Sequence, residues 1–131
     1  RIAYFETDPT WMKLAEAVLS ELQSNEDTRI LNGLGHTAKL VVGGTGVAGP
    51  VFMDNAEYRE FIFNTWQADC LDMESTAIAH VCWSNATPFL IIRSLSDLAG
   101  GQKGINDIGE FHEHAEHNAA RVLNAILDGL D

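Results

Sequence analysis

Pro88-Phe89-Leu90-Ile91-Ile92-Arg93-Ser94-Leu95-Ser96 is the stretch on which the fold turns. Its unbroken apolar run, set between a proline and polar serines, reads as a strand covered on both faces. A strand with one wet face would alternate apolar and polar residues instead. Working upstream, residues 75–83 read as an Ala-rich helix and residues 68–73 as another strand. Asp54 or Asn55 is placed to cap a helix carrying Tyr58, Phe61 and Ile62. Lys39-Leu40-Val41-Val42-Gly43-Gly44 reads as a short buried strand, and residues 45–53 continue extended with breaks at Gly46, Gly49 and Pro50. Residues 24–35 are polar and contain glycine, as a loop or a weak strand with its turns would. Further back, Asp8-Pro9 opens a helix, since Asp accepts a backbone hydrogen bond and Pro fits a first turn. Trp11, Leu14, Val18 and Leu22 recur along it at helical spacing. Downstream, residues 99–109 form a Gly-rich loop. Residues 111–127 form a terminal helix with Ala115, Ala119, Val122, Leu123 and Ile126 on one face. Strands alternating with helices define an α/β class with a largely parallel or mixed sheet. Only three or four strands are visible, which leaves a sheet edge to cover and points to upstream strands or a partner chain.

Composition narrows the function. The chain of 131 residues is long enough for one domain with a real core. An apolar content of 46% against 21% charged residues is that of an ordinary soluble globular protein. No apolar run approaches the roughly 20 residues of a membrane helix. A net charge of -11 argues against a nucleic-acid partner, because phosphate contacts need clustered Lys and Arg. It leaves an uncharged nucleoside open. Cys70 and Cys82 are too few for a disulfide framework and read as a free, buried pair. The sequence opens on Arg1 without the apolar core of a signal peptide, so an upstream segment is expected. The compartment stays open: cytoplasmic, or periplasmic or secreted if a signal peptide has been removed.

Two acids stand out by position. Asp97 follows the apolar run and precedes Gly100-Gly101. Active sites in open α/β sheets gather at the carboxyl ends of strands. A carboxylate in an apolar setting there can hold a proton at neutral pH and donate it to a leaving group. A loop or helix cap is the plainer reading. Glu74, in Asp72-Met73-Glu74-Ser75, follows one strand and opens a helix, so it faces the same end of the sheet. A carboxylate there can accept two hydrogen bonds from a vicinal diol. The plainer reading is a helix-opening Glu stabilised by the dipole. Met73 offers a soft apolar surface for a sugar, or simply packs. Arg93 either tunes the nearby acids or makes a structural ion pair.

These motifs resemble the nucleoside phosphorylase and nucleosidase superfamily. Asp72-Met73-Glu74-Ser75-Thr76-Ala77-Ile78-Ala79-His80-Val81-Cys82 is similar to its helix motif, and residues 88–97 look like the strand that delivers its acid. The likeness is closest to 5'-methylthioadenosine/S-adenosylhomocysteine nucleosidases. The resemblance implies a three-layer α/β/α fold with a central mixed sheet. The chain would be a single domain over 1–131 or the C-terminal half of a family domain. It also implies the roles. Asp97 protonates or hydrogen-bonds N7 of a purine, Glu74 binds the ribose hydroxyls and Met73 packs on the sugar. Phe52 and Met53 line the base pocket, the Phe by stacking, and Ser96 joins the substrate-binding set beside Asp97. By the same resemblance the protein is an N-glycosidic hydrolase acting on a purine nucleoside. It needs no cofactor or metal, and it works as a homo-oligomer, commonly a dimer, or with a companion chain supplying the N-terminal half. Phosphorolysis is the alternative reaction.

A competing resemblance links residues 43–55, Tyr58-Arg59-Glu60-Phe61 and Ser96-Asp97-Leu98-Ala99-Gly100-Gly101 to plant bark and vegetative storage proteins. It implies nucleoside binding or storage without catalysis. The glycines of residues 43–49 lack the Gly-Lys-Ser/Thr ending of a phosphate loop and read as a turn-rich strand edge. His112, His114 and His117, with Glu113 and Glu116, read as a solvated helix face rather than a metal site. Trp11, Trp66 and Trp83 read as core or interface residues.

Overall fold

The computed structural model describes residues 3–24, 38–101 and 108–130, and for residues 108–113 the backbone alone. In chain order its elements are α1 (Pro9–Ser24), β1 (Gly46–Ala48), α2 (Ala56–Trp66), β2 (Cys70–Asp72), α3 (Ser75–Ser84) and α4 (Ile108–Asp128). They fall into two compact units. The first comprises Arg1–Asp8, Gly43–Ile91 and Asp97–Asn106; the second comprises Pro9–Val42, Ile92–Ser96 and Asp107–Asp131.

The first unit is the α/β part. Strands β1 and β2 run parallel, with Gly46 opposite Cys70, Val47 opposite Leu71 and Ala48 opposite Asp72. A reciprocal contact just before the strands sets this register. The Asp69 N–H donates to the Thr45 carbonyl at 2.8 Å, and the Thr45 N–H donates to Asp69 Oδ2 at 2.9 Å. Gly44 lets the chain pass that carboxylate, since a Cβ there would lie 2.6 Å from Asp69 Oδ2. This is also why residues 39–44 do not form the expected buried strand. Gly43 and Gly44 take φ of 89° and 98°, which breaks an extended run, and Val41 is 65% exposed. The strand begins only at Gly46.

Helix α2 starts as its sequence requires. Asn55, not Asp54, is the cap: its backbone is extended and its side-chain oxygen accepts the Tyr58 N–H at 3.0 Å. Gln67 closes the helix in the left-handed region with its N–H on the Phe63 carbonyl. Asn55→Ala is expected to cost about 1 kcal/mol, read as a small fall in Tm of the full-length protein. Helix α3 ends at Asn85, whose N–H reaches the carbonyls of Val81 and Cys82, ahead of Pro88. The segment before α1 lies against α3, with Phe5 stacked on His80 at a centroid distance of 5.4 Å and tilted against Trp83 at 6.0 Å. Tyr4 meets Trp66 edge-on.

Residues 88–96 correct the expectation of a doubly covered strand, for they form no ladder among the described residues. The Phe89 carbonyl accepts the Asp8 N–H at 3.0 Å, and residues 89–92 are half-buried. An apolar run reports which side chains avoid water. A ladder also needs a neighbouring backbone in register, and the run does not encode that neighbour. Cys70 and Cys82 are not joined in a disulfide and are half-buried rather than buried. Trp66 and Trp83 are 44% and 53% exposed, so neither is core within this chain.

The second unit pairs α1 with α4. Ala15 and Leu19 are buried on α1, and Ile126 on α4 is 2% exposed. Trp11, Leu14, Val18 and Leu22 flank that stripe and are half-buried. Gly129 closes the end of α4 where a Cβ would lie 2.8 Å from a Val18 methyl. Among the described residues no helix is long and apolar enough to cross a membrane.

Candidate active site

The two parallel strands end side by side, and the Gly49 N–H donates to the Asp72 carbonyl at 3.2 Å, continuing the pairing one residue past β1. From β1 the chain passes through Phe52 and Met53 into the start of α2. From β2 it passes through Met73 and Glu74 into α3. The four residues therefore leave adjacent strands at one carboxyl edge, the place where open α/β sheets assemble sites. Phe52 is 61% exposed, Met73 is 42% exposed, Met53 is half-buried and Glu74 is exposed. The edge presents apolar surface beside a carboxylate.

The sequence reading missed what shapes the Glu74 turn. Asp72 does the capping. Its Oδ1 accepts the N–H groups of Glu74 at 2.9 Å and Ser75 at 2.7 Å, and its Oδ2 accepts the Ser75 hydroxyl. Glu74 holds the cap position in the backbone but makes no side-chain cap bond. The local turn at this helix start is thus made by the Asp72 side chain. The signal was an Asp at the end of a strand, three residues before a helix start and two before its cap position, which is the spacing of a local Asx turn.

Asp97 is half-buried, and its Oδ1 accepts the Ala99 N–H at 2.7 Å. One oxygen thus serves the local turn, as the plainer reading held. The turn itself is tied to α2. Ala99, Gly100 and Gly101 take φ of 54°, 101° and 79°, a left-handed run that costs energy at Ala99 and persists only if held. The Asn55 N–H donates to the Ala99 carbonyl at 3.0 Å. Arg59 Nη1 donates to the carbonyls of Leu98 at 2.7 Å and Gly100 at 2.6 Å. Gly100 sits so close that a Cβ would lie 2.6 Å from the Asn55 nitrogen. The loop carrying Asp97 is therefore docked on the first turn of α2, the helix that Phe52 and Met53 lead into. Arg59 was another residue without a site role in the sequence reading.

Arg93, exposed, and Ser96, half-buried, belong to the second unit. His114 is half-buried and His117 exposed, while the side chains of His112 and Glu113 lie outside the described residues. No group of three His, Cys, Asp or Glu that could hold a metal occurs among the described residues. Of the loop expected at residues 24–35, Ser24 ends α1 and the rest lies outside them, as does most of the Gly-rich loop at 99–109.

Comparison with known proteins places the chain in a family. The model of the phosphorylase superfamily matches residues 1–128. The chain belongs to the phosphorylase superfamily. This superfamily member is 31% identical over 125 residues to a 5'-methylthioadenosine/S-adenosylhomocysteine nucleosidase of Geobacillus sp. (strain WCH70), a match covering 95% of this chain and 48% of the relative. It is 31% identical over 87 residues to an aminodeoxyfutalosine nucleosidase of Helicobacter pylori (strain J99 / ATCC 700824), covering 66% of this chain and 37% of the relative. Among solved structures it is similar to the native structure of futalosine hydrolase of Helicobacter pylori strain 26695. That match has a TM-score of 0.73 and 23% identity, and covers 98% of this chain and 48% of the other. The structural likeness shows the shared α/β fold. The chain spans about half the length of the curated relatives it matches.

Proposed function

We propose that this phosphorylase-superfamily chain carries the acid and the ribose-binding residues of a purine nucleosidase. The enzyme would hydrolyse the N-glycosidic bond of 5'-methylthioadenosine, S-adenosylhomocysteine or a related purine nucleoside. The observation that carries the reading is the docking of the Asp97 loop on the first turn of α2, beside Phe52-Met53, while Met73-Glu74 leave the adjacent strand end. The names of the relatives, both nucleosidases, support the same chemistry.

In this reading Phe52 stacks on the base, Met53 lines its pocket and Met73 packs on the sugar. Glu74 accepts hydrogen bonds from the ribose hydroxyls. Ser96 completes the substrate contacts, with Arg93 supporting the acids. The bond from the sugar C1' to the purine breaks with its electron pair leaving on the base. Asp97 gives a proton to N7 as that charge builds. Water adds to C1' of the oxocarbenium-like sugar and releases a proton, which balances the one donated. Groups that interact more strongly with the charge-separated state than with the bound nucleoside lower the barrier.

The test is release of free base by the full-length protein from 5'-methylthioadenosine, S-adenosylhomocysteine, adenosine, inosine and aminodeoxyfutalosine, with and without phosphate. Release without phosphate is expected. Release that depends on phosphate would make the reaction phosphorolysis. Binding without release would favour the storage or binding role.

A further inference from the structure

The geometry points to Arg59 as a positioning residue for the acid: it fixes Asp97 relative to the base-binding segment by clamping the 98–100 loop to α2. The inference rests on the nucleosidase reading for its catalytic meaning.

Three successive carbonyls, those of Leu98, Ala99 and Gly100, are all taken by one turn of α2. The outer two accept from Arg59 Nη1 and the middle one from the Asn55 N–H. The Leu98–Ala99 peptide is the link. Its oxygen is held by Arg59 at 2.7 Å, and its N–H holds Asp97 Oδ1 at 2.7 Å. Because a peptide unit is planar, fixing its oxygen fixes the direction of its N–H, and so the carboxylate that accepts from it. A guanidinium nitrogen on its carbonyl also polarises the peptide, which makes its N–H a stronger donor. Gly100 and Gly101 allow the close approach. A Cβ on Gly100 would press on the Asn55 and Ala56 nitrogens, and one on Gly101 on the Ala56 methyl. Arg59 is half-buried beneath the loop. One Nη1 carries two hydrogens in a fixed plane and serves two carbonyls at once; a lysine ammonium lacks that planar fork. The other end of the arrangement is the chain entering α2 from Phe52-Met53. Acid and base-binding surface are thereby tied to one rigid helix start, and the acid keeps its reach to a base seated there.

The experiment uses full-length Arg59→Met and Arg59→Lys proteins, each checked by thermal unfolding. Turnover is compared on a purine nucleoside and on p-nitrophenyl riboside, whose leaving group departs without a proton. A misplaced acid is expected to lower turnover of the purine nucleoside by about 10²-fold in Arg59→Met, with a smaller loss in Arg59→Lys. Turnover of the nitrophenyl substrate should stay near that of the wild type. Equal losses on both substrates, or no loss on either, overturn the positioning role. Should the wild type release no base from any nucleoside, the nucleosidase reading falls by itself. The clamp is then judged by hydrogen exchange at the Ala99 amide: faster exchange in Arg59→Met upholds it, and unchanged exchange overturns it.

Discussion

Replacing Asp97 by Asn in the full-length protein is expected to lower turnover of a purine nucleoside about 10²- to 10⁴-fold, while nucleoside affinity survives. That range corresponds to about 2.7–5.4 kcal/mol of barrier. The substitution is informative because it can keep the Ala99 contact. An amide oxygen still accepts the Ala99 N–H that Asp97 Oδ1 accepts at 2.7 Å. The clamp from Arg59 and Asn55 involves only backbone carbonyls of residues 98–100, which the change does not touch. What disappears is the carboxyl group that the proposed reaction uses as its acid. Binding measured by calorimetry and base release measured in a single turnover separate the two effects, and unimpaired release in Asp97→Asn would sink the role given to this residue. A double variant sharpens the result. If Arg59 acts only through the acid, Asp97→Asn with Arg59→Met loses little more than Asp97→Asn alone, because two changes on one pathway are not additive.

The helices were legible because their signals are local. Pro9 opens α1, Asn55 caps α2 three residues before the N–H it accepts, and α3 ends before Pro88. The strand at β2 was legible for the same reason. Residues 88–96 and 39–44 were not: the first shows no ladder among the described residues, and the second is broken by two glycines with positive φ. Apolar pattern predicts shelter from water, whereas a strand is a relation between two stretches of chain. The candidate site divides in the same way. Asp97 and Glu74 could be named from their places after apolar runs and before helix or loop. The contact of Arg59 with Leu98 and Gly100 spans about forty residues of sequence, and no local rule encodes it. Asp72 lay between the two cases, since its cap is local yet its carboxylate was read only as part of a motif.

Glu74→Gln is expected to cost about 10- to 10³-fold in kcat/KM on a ribonucleoside, since hydrogen bonds to a charged group contribute about 1.5–3 kcal/mol each. A carboxylate can accept from both hydroxyls of a vicinal diol, but an amide offers one acceptor oxygen and turns a donor towards the other hydroxyl. The loss should shrink on the 2'-deoxynucleoside, which has already surrendered one of the two donors. That dependence on substrate separates binding from structure. If Glu74 merely stabilised the start of α3 through the helix dipole, Glu74→Gln would lower stability by about 0.3–1 kcal/mol and affect both substrates alike. The first outcome is the one the nucleosidase reading expects. Asp72 already satisfies the N–H groups of Glu74 and Ser75, and Glu74 makes no side-chain cap bond. On that reading discrimination between ribose and deoxyribose falls, whatever the shift in Tm. A fall in Tm with discrimination intact would return Glu74 to a structural role and leave the ribose without its acceptor on this edge.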